Sequence, residues 1–257
     1  MSHLVLGEQH QLYYELLAGD ADRPWLVFLH EGLGSVDLWG DFPQVLCNRT
    51  RCPGLLYDRL GHGQSSALIS PRTSRYLHEY ALDELPKVLA ALIPGQRFVL
   101  IGHSDGGSIS LIFGAEKPDY LLGIITAAAH VMVEDVTVDG VRQALAAWEQ
   151  GKLRNGLARC HGEKSEALFH AWAETWTSPW FRTWSIEELL PSIVVPLLVL
   201  QGRDDQYGTA AQMEAIVTQS GGSATPLFLD DCGHSPHLDF PELTLDLMSC
   251  FVNRVAR

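Results

Sequence analysis

Apolar and polar positions follow two rhythms along this chain. Short, nearly continuous apolar runs recur at Leu12–Leu16, Trp25–Leu29, Gly54–Tyr57, Phe98–Ile101, Gly123–Ala127, Leu197–Gln201 and Leu227–Leu229. Runs of this length predict strands buried on both faces, as in a parallel sheet. Between them, Trp39–Cys47, Tyr76–Leu92, Gly107–Glu116, Thr209–Gln219 and Pro241–Val255 carry apolar residues three or four positions apart, the spacing of an amphipathic helix. Pro86 lies inside the second of these and is expected to kink it or mark a start, because its ring removes a backbone donor. Strands alternating with helices predict an α/β fold, a mostly parallel central sheet flanked by helices.

Residues 131–190 break this rhythm. They hold helix-forming stretches at Val141–Gln150 and Ser165–Thr177, no convincing strand, and five of the seven tryptophans: Trp148, Trp172, Trp176, Trp180 and Trp184. A helical cap insertion at 131–190 is therefore expected within one core domain formed by 1–130 and 191–257. Its aromatic face either covers the mouth of a pocket or packs onto the sheet.

With 257 residues and 46% apolar content, the chain suits one domain around a buried sheet. A formal charge of −13 argues against nucleic-acid partners, which need a basic face to displace counterions. The longest apolar stretches, such as Ile193–Leu200, are short and broken by proline, so no membrane span is expected. Met1-Ser2-His3-Leu4 lacks the basic-then-apolar signature of a secretory signal. Cys47, Cys52, Cys160, Cys232 and Cys250 are odd in number and form no C-x-x-C pair. Reduced thiols and a cytoplasmic location are the expectation. Nothing near Cys47 and Cys52 completes a tetrahedral metal site. Monomer and homodimer remain equally compatible with the pattern.

The segment from Phe98 to Gly107 carries the chemistry. A strand runs into Gly102-His103-Ser104-Asp105-Gly106, followed by a small-residue helix start. A serine on so sharp a strand-to-helix turn needs small neighbours, and the helix beyond offers free N–H groups to an oxyanion. Ser104 is thereby marked as a nucleophile.

Five segments together resemble the α/β-hydrolases, the large group that includes esterases, lactonases and carbon–carbon bond hydrolases. They are Leu29–Ser35, Tyr57–Ser65, the Ser104 turn, Gln201–Asp205 and Gly233–His237. The resemblance spans nearly the whole chain and implies a serine hydrolase with an α/β-hydrolase fold. It places the base at His234; His237 is expected to be structural or pocket-lining, His103 is held on the wrong side of the turn, and His30 and His62 support loop geometry. The order serine, acid, histidine puts the acid after the strand at Leu197–Leu200, where Asp204 and Asp205 both fit. The resemblance favours Asp205, three residues beyond Gly202; Asp230 and Asp231 read as turn formers. The oxyanion donors are expected to be the amides of Asp105 and, by the family's His-Gly motif, Gly32. Glu31 stands where that motif carries glycine, so its side chain should turn away, towards Arg59 or another cation.

No P-loop, H-E-x-x-H or dinucleotide-binding motif is present, and no cofactor is expected. The expected partner is a small, largely apolar molecule bearing a carboxylester or lactone. Two alternatives stand beside it. A carbon–carbon bond hydrolase would need an arginine for a substrate carboxylate, with Arg182 the candidate. A hydrolase-fold receptor or binding protein would turn over slowly.

Overall fold

The computed structural model describes residues 2–6 and 10–257. Its eight strands form a single sheet: β1 (Ser2–Leu6), β2 (His10–Leu17), β3 (Trp25–Leu29), β4 (Gly54–Tyr57), β5 (Phe98–His103), β6 (Leu121–Ala127), β7 (Leu197–Gly202) and β8 (Ala224–Leu229). Their order across the sheet is β1-β2-β4-β3-β5-β6-β7-β8. The β1–β2 and β2–β4 pairs are antiparallel, and every pair from β4 to β8 is parallel. All seven expected strands are present, while β1 is additional. It carries its apolar residues at an exposed edge and is held by backbone pairing to β2, so its composition gives little strand signal.

Alternate side chains of the central strands enter different cores. Val27 and Leu29 of β3 and Leu100 of β5 face one cluster; Leu26, Phe28, Val99 and Ile101 face the other. The helices cover these two layers. They are α1 (Phe42–Thr50), α2 (Tyr76–Glu79), α3 (Leu85–Leu92), α4 (Asp105–Ala115), α5 (Asp135–Glu149), α6 (Arg154–His161), α7 (Ser165–Thr177), α8 (Ala210–Gln219), α9 (Pro236–Asp239) and α10 (Pro241–Val255). Three of them, α5, α6 and α7, fill the chain between β6 and β7, together with Trp148 stacked on Phe169 at 4.3 Å.

Two helical expectations are corrected in detail. The run Trp39–Cys47 is split: a 3₁₀ turn ends at Trp39, Gly40 adopts φ 58, and α1 starts at Phe42 with Pro43 in its first turn. The run Tyr76–Leu92 contains a π-helical turn, Tyr80–Glu84, between α2 and α3. Pro86 sits in the first turn of α3, where a missing N–H is tolerated, and marks a start.

That π turn buries a carboxyl group. Glu84 Oε2 accepts from the Leu60 amide at 3.0 Å, and burial pushes the carboxyl from 4.5 up to about 7. A carboxyl raised in the folded state favours folding while it is protonated in both states. That contribution is lost as pH rises from the unfolded value to about 7. Glu84→Gln should therefore stabilise the protein at pH 8 relative to pH 5 by about 2–3 kcal/mol, at roughly 1.4 kcal/mol per pKa unit. Urea midpoints at the two pH values read this directly, and parallel pH profiles for the two proteins would contradict it.

Candidate active site

Ser104 lies between β5 and α4 with φ 52 and ψ −118, a backbone conformation that non-glycine residues rarely adopt. Its neighbours make the turn possible. A Cβ on Gly102 would stand 2.2 Å from the Gly106 carbonyl oxygen, and one on Gly106 would stand 2.0 Å from that of Leu29. Neither position tolerates a side chain. The helix begins one residue after Ser104, earlier than the expected start at Gly107, so Asp105 is its first residue. As first-turn residue and loop residue respectively, Asp105 and Gly32 donate their amides to no acceptor among the described residues.

His234 follows β8 and the turn at Asp230–Gly233. Its Nδ1 lies 2.8 and 2.9 Å from the two carboxylate oxygens of Asp205. Asp205 is buried just beyond β7, while Asp204 is exposed and contributes only its backbone amide to Cys232. Gln201 Nε2 donates to Asp205 Oδ2 at 2.6 Å and the Tyr207 amide to Oδ1 at 2.8 Å. Burial pushes the Asp205 carboxyl up, but the bond and charge of His234 and the Tyr207 amide outweigh it and hold the group below its usual value. Asp230 instead pairs with Arg203 at 2.5 Å on the surface, and Asp231 turns the chain at φ 54.

Ser104, Asp105, Gly32 and His234 line one cavity of about 130 Å³. Its remaining walls include Glu31, Leu33, His130, Thr137, Val141, Trp172, Trp176 and Tyr207. Among the described residues, Ser104 Oγ and His234 Nε2 share no hydrogen bond, as is common for such pairs before substrate aligns them. Gly32 is tightly enclosed: a Cβ there would stand 2.7 Å from the Trp172 indole. Trp148 and Trp184 are buried away from this cavity, and Trp180 is half exposed.

One expectation for the surrounding residues changes. Glu31 does not pair with Arg59. The buried guanidinium donates instead to the His30 carbonyl and, at 2.7 Å, to the Glu31 carbonyl, so its fork is spent on the turn's backbone. The Glu31 carboxylate faces His103 Nδ1 at 3.4 Å. His103 Nε2 in turn donates to the His234 carbonyl at 2.8 Å, and burial lowers the pKa of the ring. Together with His237, these two line a second cavity of about 90 Å³, which shares Glu31 with the first. His237 packs on Trp39 at 4.9 Å, and burial followed by the charges of His103 and His234 pushes it down to about 2. His30 and His62 are buried among turn carbonyls, His30 against Glu31 at 2.8 Å and His62 against Gly32 at 3.2 Å. Arg182 lines neither cavity; it donates to the Val133 carbonyl at 2.9 Å and pairs with Asp135 in an outer cleft.

Some residues at the site carry no motif. Tyr207 packs edge-on against the His234 ring at 4.8 Å, and His130 Nε2 lies 2.9 Å from the Tyr207 carbonyl oxygen. Both are isolated aromatic residues in loops, and only the fold brings them beside His234. Among the described residues, no cluster of side chains suited to a metal ion occurs, and no helix is long and apolar enough to cross a membrane.

A mostly parallel sheet with a serine at positive φ between a central strand and its helix defines the hydrolase class of α/β enzymes. The chain belongs to the alpha/beta hydrolase family, whose profile matches residues 26–247. Over 93% of its length it is 26% identical to the 2-succinyl-6-hydroxy-2,4-cyclohexadiene-1-carboxylate synthase of Serratia proteamaculans, covering 97% of that protein. It is 33% identical to the mouse sn-1-specific diacylglycerol lipase ABHD11 over 42% of this chain and 33% of that one. Among solved structures, MGS-M2, an alpha/beta hydrolase enzyme from a Medee basin deep-sea metagenome library, superposes with a TM-score of 0.78 at 17% identity. That match covers 97% of this chain and 96% of the other, and it speaks for the fold alone.

Proposed function

We propose that the protein is a cofactor-independent serine hydrolase that cleaves an ester-type bond of a small substrate through an acyl-enzyme. The observation that carries this reading is the Asp205 clamp on His234 Nδ1, in the cavity that also holds Ser104 on its strained turn. With Nδ1 donating to the carboxylate, Nε2 is the free, basic nitrogen. It takes the Ser104 proton as Oγ attacks the carbonyl carbon, and the carbonyl oxygen becomes an oxyanion held by the amides of Gly32 and Asp105. Collapse of that intermediate breaks the bond to the leaving oxygen, which accepts the proton from Nε2. Water then repeats the sequence on the acyl-enzyme and releases the acid. Each oxyanion donor contributes roughly 3–4 kcal/mol to the transition state.

The segment at 131–190 serves as the cap in this reading. Val141 of α5 and Trp172 and Trp176 of α7 form cavity walls, and 130 Å³ is well below the roughly 300–1,000 Å³ of a drug-sized site. A small acyl group fits such a space. Carbon–carbon bond cleavage of a carboxylated substrate is disfavoured, because Arg182 is engaged with Asp135 elsewhere and no lysine or arginine lines the cavity.

Steady-state hydrolysis of p-nitrophenyl acetate and butyrate tests the proposal. Multiple turnovers, faster on acetate than on butyrate, are expected. A single burst of one p-nitrophenol per protein, with no steady state, would indicate a binding protein instead.

A further inference from the structure

Asp105 does more than lend its amide to the cavity. The residue is 2% exposed, and its Oδ2 accepts from the Tyr76 hydroxyl at 2.9 Å. That oxygen also lies 3.1 Å from the point where a Cβ on Gly32 would stand. The carboxylate is therefore beside both amides assigned to the oxyanion. Glu31 lines the same cavity, with its carboxylate beside the His103 ring at 3.4 Å. Among the described residues, neither is ion-paired to a lysine or arginine.

A buried carboxylate next to a developing oxyanion opposes catalysis, since like charges in a low-dielectric site repel strongly. The opposition disappears if a cation is interposed; among the described residues the Arg72 guanidinium lies over the Tyr76 ring at 4.6 Å but lines a different cavity, and no lysine or arginine lines this one. We infer that the substrate supplies it: the cavity bounded by Asp105, Glu31, Trp172 and Trp176 takes an ammonium group carried on the carbon next to the scissile carbonyl. An α-aminoacyl ester is the substrate class. This inference rests on the hydrolase reading above and specifies its acyl group.

The placement follows from chain geometry. One residue provides both an oxyanion donor and the carboxylate, so a cation touching that carboxylate stands close to the carbonyl carbon, within reach of a group on the next carbon. The ammonium donates to Asp105, with Glu31 the second acceptor, in charge-assisted bonds stronger than neutral ones. The indoles of Trp172 and Trp176 add faces or edges that suit an ammonium and its attached carbons. Protein net charge of −13 favours approach of a cation over an anion.

Methyl L-alaninate and methyl isobutyrate are nearly isosteric and differ in the ammonium. Their kcat/KM values, each divided by the ester's own rate with hydroxide, form the test ratio. In the wild-type protein the ratio should exceed about ten, and it should fall as pH rises through about 7.7–8, where an ordinary α-amino group loses its proton. Asp105→Asn should lower the ratio about tenfold, and Glu31→Gln about threefold. A role for Asp105 confined to holding Tyr76 or the helix start would leave the ratio unmoved. If Asp105→Asn does not fold, the wild-type ratio, its pH dependence and Glu31→Gln decide. A wild-type ratio near or below one, with both esters cleaved only when Ser104 is present, overturns the ammonium site and leaves the hydrolase intact. Cleavage of neither ester overturns the ammonium site; if p-nitrophenyl acetate is also untouched, or is cleaved equally without Ser104, the hydrolase reading falls too.

Discussion

Ser104→Ala is expected to lower kcat on p-nitrophenyl acetate by about 10⁴–10⁶-fold while leaving the fold in place. Among the described residues, the serine's hydroxyl makes no hydrogen bond that would be lost. What fixes the turn is the small size of Gly102 and Gly106 and the backbone bonds of Gly107 and Ser108 to the Ser104 carbonyl, at 2.8 and 3.1 Å. Alanine preserves all of these. The oxyanion amides also remain, so a residual rate above that of water alone is expected. Kinetics with a matched melting curve check this, and a variant retaining a tenth of the wild-type rate would remove Ser104 from the reaction.

Asp205→Asn should be nearly as damaging, about 10⁴-fold in kcat, with KM little changed. Asparagine keeps the shape but presents an N–H₂ where His234 Nδ1–H needs an acceptor, so the ring is turned or held in the wrong tautomer. The carboxylate is also the charge that stabilises the imidazolium formed when Ser104 loses its proton. Asp204→Asn should stay within about threefold of wild type, since that side chain is exposed. The two variants thus separate neighbours that composition cannot. Because the Asp205 carboxyl is held below its usual value, its contribution to stability is present at neutral pH and is lost only as pH falls through that lowered value. Loss of activity in mildly acidic buffer therefore reports protonation of a group other than Asp205.

Most of the sheet was legible because buried parallel strands are continuous apolar runs, and the central strands β3 to β7 are of that kind. The edge strand β1 was not: its side chains are exposed or only half-buried, and backbone pairing to β2 holds it. The serine turn was legible because its constraint is local: the glycines at 102 and 106 sit one residue removed from Ser104 on either side, and the need for them is steric. The residues alone left the acid as a pair of neighbours and the resemblance favoured Asp205, which is the carboxylate held by Gln201 and Tyr207. Glu31 was expected to turn towards Arg59 or another cation, but Arg59 donates to two backbone carbonyls, a contact no side-chain pattern announces. The five tryptophans of 131–190 marked an apolar face; only coordinates separate Trp172 and Trp176, on the cavity, from Trp148 and Trp184, which pack elsewhere.

The most direct test of the proposed chemistry is to react the folded protein with a fluorophosphonate and locate the added mass by peptide mapping. A single adduct on the peptide containing Ser104, absent after Asp205→Asn at matched times, is the predicted result. An adduct on another residue, or none on a protein that still turns over esters, would contradict it.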